Sequence, residues 1–172
     1  GYSISDNWFI ESGVSMNFLR YTVLNHATNK EESYDYPAMF SPFIGLSFSI
    51  DESSAFYSNF GHGFSYPSVE ETLYPEGIKN PNLLPETAMT FEMGWKHQAL
   101  SQNFHLDWSV YRLALNNLLL TERIENGDSY GVNGGAANNW GIELLLEKRF
   151  FSKSANWIHH ITISNAMTLG VY

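Results

Sequence analysis

Six histidines, eighteen carboxylates and no cysteine bound the chemistry open to this chain. Without a thiol there is no thiolate nucleophile, no thiolate zinc site and no disulfide framework. His105 and Asp107 stand two residues apart, a spacing that puts them on one face of a strand. His159 and His160 are adjacent, so a strand sends them to opposite faces. Neither pair has the context of a catalytic triad or a metal-ligand set. "GFSYP" (63–67) is not a nucleophile elbow, and "VNGGAANN" (132–139) lacks the Lys-Ser/Thr ending of a phosphate loop. These residues give no enzymatic motif, and the chain is expected to be no enzyme, with no metal site and no cofactor.

The carboxylates are more informative. Glu31, Glu32, Asp35, Glu70, Glu71, Glu76, Glu86, Glu125 and Asp128 fall in three irregular stretches, against Lys30 and Lys79. Simple solvation explains such loops, and so does bridging by divalent cations to anionic surface lipid. Charge screening of an incoming ligand is the functional reading. A net charge of -9 argues against nucleic acid as a partner, since a run of phosphates would go unneutralised.

The elements that hold these loops alternate with period two. Trp8, Ile10, Val14, Met16 and Phe18 oppose Glu11, Gly13, Ser15 and Asn17, and Ile44, Leu46, Phe48 and Ile50 oppose Gly45, Ser47 and Ser49. Met89, Phe91, Met93 and Trp95 oppose Thr90, Glu92, Gly94 and Lys96. Such half-polar runs are strands. Seven are expected, at about 8–23, 38–50, 55–66, 87–99, 103–123, 130–150 and 157–170. In the fifth the apolar set slips from Phe104, Leu106, Trp108 and Val110 to Tyr111, Leu113 and Leu115, which suggests a bulge near Val110.

The connections run long (24–37), short (51–54), long (67–86), short (100–102), intermediate (124–129) and short (151–156). Successive hairpin turns fall at opposite ends of a sheet, so all the short turns share one end and all the longer loops the other. Transmembrane β-barrels have this asymmetry, and most of these strands exceed the roughly 9–11 residues that cross a bilayer. Aromatics make up 16% of the chain and charged residues only 16%, which suits a surface meeting something other than water. Trp8, Trp95 and Trp157 at strand ends resemble interfacial girdles. The expected fold is therefore all-β, an antiparallel up-and-down transmembrane β-barrel segment. A soluble all-β module that binds carbohydrate or lipid is the alternative.

"SAFYSNFGHGFSYPSVEETL" (54–73) followed by "NPNLLPETAMTFEMGWK" (80–96) resembles the barrel of TonB-dependent outer-membrane receptors. The likeness rests on Tyr57, Phe60, Gly61, Gly63, Phe64, Pro67, Glu70 and Glu71, then on Asn80, Pro81, Asn82, Leu83, Pro85, Glu86, Glu92 and Gly94. It continues through "YRLALNNLLL" (111–120) and a Gly-x-Glu-Leu element at Gly141, Glu143 and Leu144. The resemblance implies that residues 1–172 are one part of a larger barrel in a Gram-negative outer membrane, with the plug domain and the remaining strands absent. It implies a ferric chelate, siderophore or ferric citrate, as cargo, outer-membrane lipid around the wall, and energy from the TonB system through the plug. An anionic chelate must meet cations within the acidic mouth, so Arg20 and Arg123 at outer strand ends are ligand-contact candidates, with Tyr66 and Tyr130 at similar heights. Haem receptors of this kind carry an axial histidine between the Phe-x-x-Pro and Asn-Pro-Asn-Leu elements. Here Ser68 to Lys79 holds none, and Tyr74 is the one substitute donor, while His62 lies on the strand side.

Overall fold

The computed structural model of the chain describes all residues except 26–28, 75–77, 100, 102, 126, 152–158 and 172. Its strands are β1 (Tyr2–Ser3), β2 (Trp8–Asn17), β3 (Arg20–Asn25), β4 (Lys30–Asp35), β5 (Met39–Ser49) and β6 (Ser54–Ser65). After a one-turn helix α1 (Val69–Thr72) come β7 (Glu86–Ala99), β8 (Phe104–Asn116), β9 (Leu119–Arg123), β10 (Ser129–Asn133), β11 (Ala136–Phe151) and β12 (His160–Val171).

Eight of these form one open antiparallel sheet in the order β1-β2-β5-β6-β7-β8-β11-β12. The other four make two separate hairpins, β3–β4 and β9–β10. Three expected strands are therefore split. The first ends at Asn17 and resumes at Arg20, and the fifth ends at Asn116 and resumes at Leu119. Asn117 sits at φ 53°, a left-handed conformation that no ladder accommodates, and it turns the chain out of the sheet. The sixth strand is divided likewise, between Asn133 and Ala136. Trp157 lies outside the described residues.

The bulge near Val110 is corrected by the register. Val110 faces Met93 on one side and Ile142 on the other, and Tyr111 faces Glu92 and Gly141, in unbroken ladders. The slip in hydrophobicity has another cause. One face of β8 is apolar through Trp108 and Val110 and then turns polar at Arg112 and Asn116. The opposite face changes the other way, from Asp107 and Ser109 to Tyr111, Leu113 and Leu115. The two faces exchange character along the strand without a break in its backbone.

Directly paired residues share a face, so the register assembles both faces of the sheet. Trp8, Phe48, Phe56, Trp95, Trp108, Leu144 and Met167 form one cross-strand row. Ile10, Leu46, Ser58, Met93, Val110, Ile142 and Leu169 form the next. Nothing of the chain covers them: Trp8, Phe56, Met93, Trp108, Ile142 and Leu169 are all exposed. The reverse face carries Glu11, Glu92, Lys96, Asp107, Glu143 and many small polar residues. Among the described residues the buried large hydrophobics are Tyr34 and Leu83, and both lie outside the sheet. A wide sheet with a bare apolar face and few enclosed side chains among the described residues leaves that face to be covered by something other than water.

Two tyrosines brace the polar face. Tyr57 pairs with Gly94 and Tyr111 with Gly141, and each ring lies where a Cβ on its glycine would be. Glycine at these positions is required by the close approach, not by backbone torsion.

Candidate functional site

The long-loop end of the sheet carries a packed cap. Its base is the stretch 67–85, which the sequence marks by four of the chain's six prolines. Ser68 and Glu71 form a capping box around α1: the Ser68 hydroxyl accepts from the Glu71 backbone at 3.2 Å, and the Glu71 carboxylate accepts from the Ser68 N–H at 2.7 Å. The Thr72 hydroxyl donates to the Ser68 carbonyl at 2.7 Å and receives the Tyr36 hydroxyl at 2.9 Å. Thr72 is buried there at 1% exposure.

On one side of α1 stands an aromatic cluster built by β3, β4 and the end of β6. Tyr21 and Tyr34 stack with centroids 4.8 Å apart, Tyr36 tilts against Tyr21 at 6.4 Å, and Tyr66 meets Tyr36 at 5.2 Å. Lys79 caps the stack, its ammonium 4.9 Å from the centre of the Tyr34 ring. Burial raises the Tyr21 phenol to about 12 and also raises that of Tyr34, where the Glu32 carboxylate adds to the effect.

On the other side the same stretch grips β9–β10. The Asn80 amide donates to the Gly131 carbonyl at 2.9 Å. The Asn133 side chain accepts from the Leu84 N–H at 2.8 Å and donates to the carbonyls of Leu84 and Asn117 at 2.9 and 2.8 Å. The Glu86 carboxylate accepts from the Leu119 N–H at 3.1 Å. Leu83 is buried at 6% exposure. The Asn-Pro-Asn-Leu-x-Pro-Glu element is thus a fastener that joins loop to hairpin.

The four ligand-contact candidates all lie at this end, in two groups. Arg20 begins β3 and forms an exposed ion pair with Asp35 of β4, which holds its guanidinium more firmly protonated than usual. Tyr66 donates to the backbone carbonyls of Asn17 and Pro37, at 3.0 and 3.1 Å, so its hydroxyl ties three chain segments together. Arg123 and Tyr130 belong to β9–β10, on opposite faces, since Ser129 is the register partner of Arg123 and Glu122 that of Tyr130. The Arg123 Nε donates to the Gly127 carbonyl at 3.3 Å. The Tyr130 hydroxyl donates to Glu122 at 3.1 Å, a bond that raises its pKa, and its ring meets Tyr74 at 5.2 Å. Each candidate thus has a local partner, and the cap stands between the groups. His62 points along the apolar face and donates from Nδ1 to the Phe40 carbonyl at 2.8 Å, away from the mouth.

The polar face of the sheet holds a second constellation, which motif spacing does not reveal. The Tyr57 hydroxyl donates to Glu92 at 2.8 Å and approaches Asp107 at 3.3 Å. Lys96 pairs with Asp107 at 3.3 Å and sits 4.8 Å above the Tyr57 ring. Four strands separate Glu11 from Glu143, but the face they share was readable from their odd or even positions once strands were assigned. Only the partners across strands required the register.

The family described as TonB dependent receptor-like, beta-barrel, matches residues 1–169. This chain belongs to that family. TonB-dependent receptor barrels are proteins of the Gram-negative outer membrane. Comparison with curated proteins yields no match. Among solved structures, the chain is similar to "Copper transporter OprC" (18% identity, TM-score 0.67), covering 96% of this chain and 26% of that one. It is also similar to the siderophore receptor PirA from Pseudomonas aeruginosa (14%, TM-score 0.68), with 97% of this chain and 29% of that chain covered. For the ferric-catecholate import receptor Fiu from E. coli the values are 14% and 0.57, over 96% and 26%. The chain therefore spans about a quarter of the structures it matches, and the likeness is one of fold. The open sheet is that of a partial barrel wall. The family and these neighbours are receptors and transporters rather than enzymes.

Proposed function

We propose that this chain is a wall segment of an outer-membrane receptor that imports a ferric chelate, a siderophore or ferric citrate, with energy supplied through TonB. In this reading the plug domain and the remaining strands belong to other parts of the receptor, and the plug fills the space before the polar face. The observation that carries it is the pairing of a lipid-facing apolar wall with a charged inner wall, under a cap rich in tyrosine. Long loops face the outside and short turns the periplasm.

Arg20, Tyr66, Arg123 and Tyr130 are proposed as rim contacts for the anionic chelate. Arg20 would exchange a weak exposed partner for the ligand: the exposed Arg20–Asp35 ion pair contributes little stability, so diverting it to a chelate carboxylate costs little. Tyr74 is turned against Tyr130, and no histidine lies between Ser68 and Lys79. Both features favour a chelate over haem.

Growth assays of a receptor-deficient strain carrying the full-length receptor test this. Growth on ferric citrate or a ferric siderophore, and none on haem as sole iron source, is the expected result. Growth on haem that is lost in Tyr74→Phe or His62→Ala would overturn the reading, as would uptake of bare copper ions with no response to any iron chelate.

A further inference from the structure

The apolar face sorts charge by sign. Every carboxylate on the sheet strands (Glu11, Glu86, Glu92, Asp107, Glu143 and Glu147) turns to the other face. Two residues with permanent charge remain on the lipid side, and both are cations. Lys148 lies towards the short-turn end of β11, and Arg112 lies towards the long-loop end of β8.

Arg112 stands where the apolar run of β8 ends. Below it on β8 come Val110 and Trp108, and above it Ala114 and Asn116. On the neighbouring strand Trp140 ends the apolar run and Asn138 begins the polar one. The Arg112 Nε donates to the Asn138 side-chain oxygen at 2.9 Å, and the guanidinium lies 4.9 Å from the centre of the Trp140 ring. This clamp orients the fork through one edge and one face. Arg112 is exposed, and strands of this chain flank β8 on both sides, so the setting does not depend on wall segments from elsewhere.

We propose that Arg112, held by Asn138 and Trp140, binds the phosphate of a lipid in the outer leaflet, a phosphorylated glycolipid. An arginine that only had to escape the hydrocarbon would extend towards water with its head free. Here Nε is spent on Asn138, which leaves the terminal nitrogens for a planar, bidentate contact with phosphate oxygens. The absence of carboxylates on this face, within the described residues, removes the competing internal partner. The asparagine amide and the indole edge suit the sugar hydroxyls beside such a phosphate. This inference concerns the outside of the wall and holds whatever the cargo is.

Native mass spectrometry of the full-length receptor in mild detergent tests it, with bisphosphorylated lipid A, its dephosphorylated form and phosphatidylethanolamine as probes. The bisphosphorylated lipid should bind the wild type, and Arg112→Gln should lower its affinity about tenfold, the loss of a charge-assisted contact. Arg112→Lys should keep part of it, Lys148→Gln should change nothing, and growth on the iron source should be unaffected throughout. Equal binding by Arg112→Gln, equal binding of the dephosphorylated lipid, or preference for phosphatidylethanolamine would overturn the proposal. So would a receptor dimer that depends on Arg112 where bound lipid does not. Heat-modifiable gel mobility confirms that each variant is folded, and Asn138→Ala repeats the test without touching the charge, with a smaller loss expected.

Discussion

The sheet and the cap above it are stabilised in opposite ways. The sheet has long uninterrupted ladders, from the pairing of Trp8 with Phe48 to that of Trp140 with Val171, and almost no enclosed side chains. Its favourable burial depends on surroundings beyond the chain, and under the proposed function these are lipid outside and the rest of the receptor inside. The cap has short two-stranded hairpins, yet it holds the buried Tyr34, Thr72, Asn80 and Leu83 and most of the bonds from side chain to backbone. It encloses its own small core. A wall can leave its faces to its surroundings because backbone pairing fixes its geometry. Loops without a continuous ladder must be fixed by side chains.

The contrast is broken most severely by taking the surroundings away. In detergent-free buffer the isolated chain is expected to form large aggregates, because bare apolar rows and unpaired edge strands invite association. Sedimentation velocity reads this directly, and a monodisperse monomer would refute lipid burial of the apolar face. Next in size is Gly94→Val in the full-length receptor. The added side chain displaces the Tyr57 ring from its glycine, an overpacking cost of about 3 kcal/mol, and heat-modifiable mobility should show most of the protein unassembled.

Asn133→Ala should act differently. It removes three bonds to the backbone of Leu84 and Asn117 and leaves partners unpaired, for about 2 kcal/mol. The barrel should still assemble while its surface loops become sensitive to protease on intact cells. Loss of assembly would mean that cap and sheet form one cooperative unit.

The smallest effect is on titration. Tyr21 is raised to about 12, chiefly by burial, so the folded cap favours the neutral phenol. That preference is intact below the ordinary tyrosine value of about 10 and is lost as pH rises through 12. Absorbance of tyrosinate should show a late fraction that shrinks in Tyr21→Phe without vanishing, since other phenols are raised too, with the cap loosening over the same interval.

The period-two pattern made the sheet legible, because each strand shows lipid on one side and polar surroundings on the other. Glu92, Gly94 and Lys96 against Met93 and Trp95 suffice to place β7. The pattern misled where that contrast reverses. At Tyr111, Leu113 and Leu115 the apolar residues change to the other face, and unbroken pairing looks from sequence like a bulge. The β3–β4 and β9–β10 hairpins were hidden for a related reason: Arg20 and Leu119 continue strand-like composition after a change of direction that only Asn117 hints at. At the mouth, Asn80 and Glu86 were visible as a family signature, but their work as fasteners was not, since their partners lie far along the chain, at Gly131 and Leu119, as does the Asn133 partner of the Leu84 backbone. The tyrosine stack gave no signal, because its members come from β3, β4 and the residues just after β4 and β6.

The hairpins also bear on how the wall can form. Pairing Asn17 with Met39, or Asn116 with Ala136, brings together residues about twenty positions apart, and the entropy lost in closing a loop grows with its length. If β3–β4 and β9–β10 zip first, each intervening span shrinks to a few residues at the hairpin's base. The Tyr36 N–H, bonded to the Leu19 carbonyl at 3.0 Å, already marks one such closed base. With that shortcut the pairings of β2 with β5 and of β8 with β11 become local in effective chain separation, and local contacts form fastest, while β6 and β7 still close across residues 66–85. The wall can then grow by accretion, one neighbouring strand at a time.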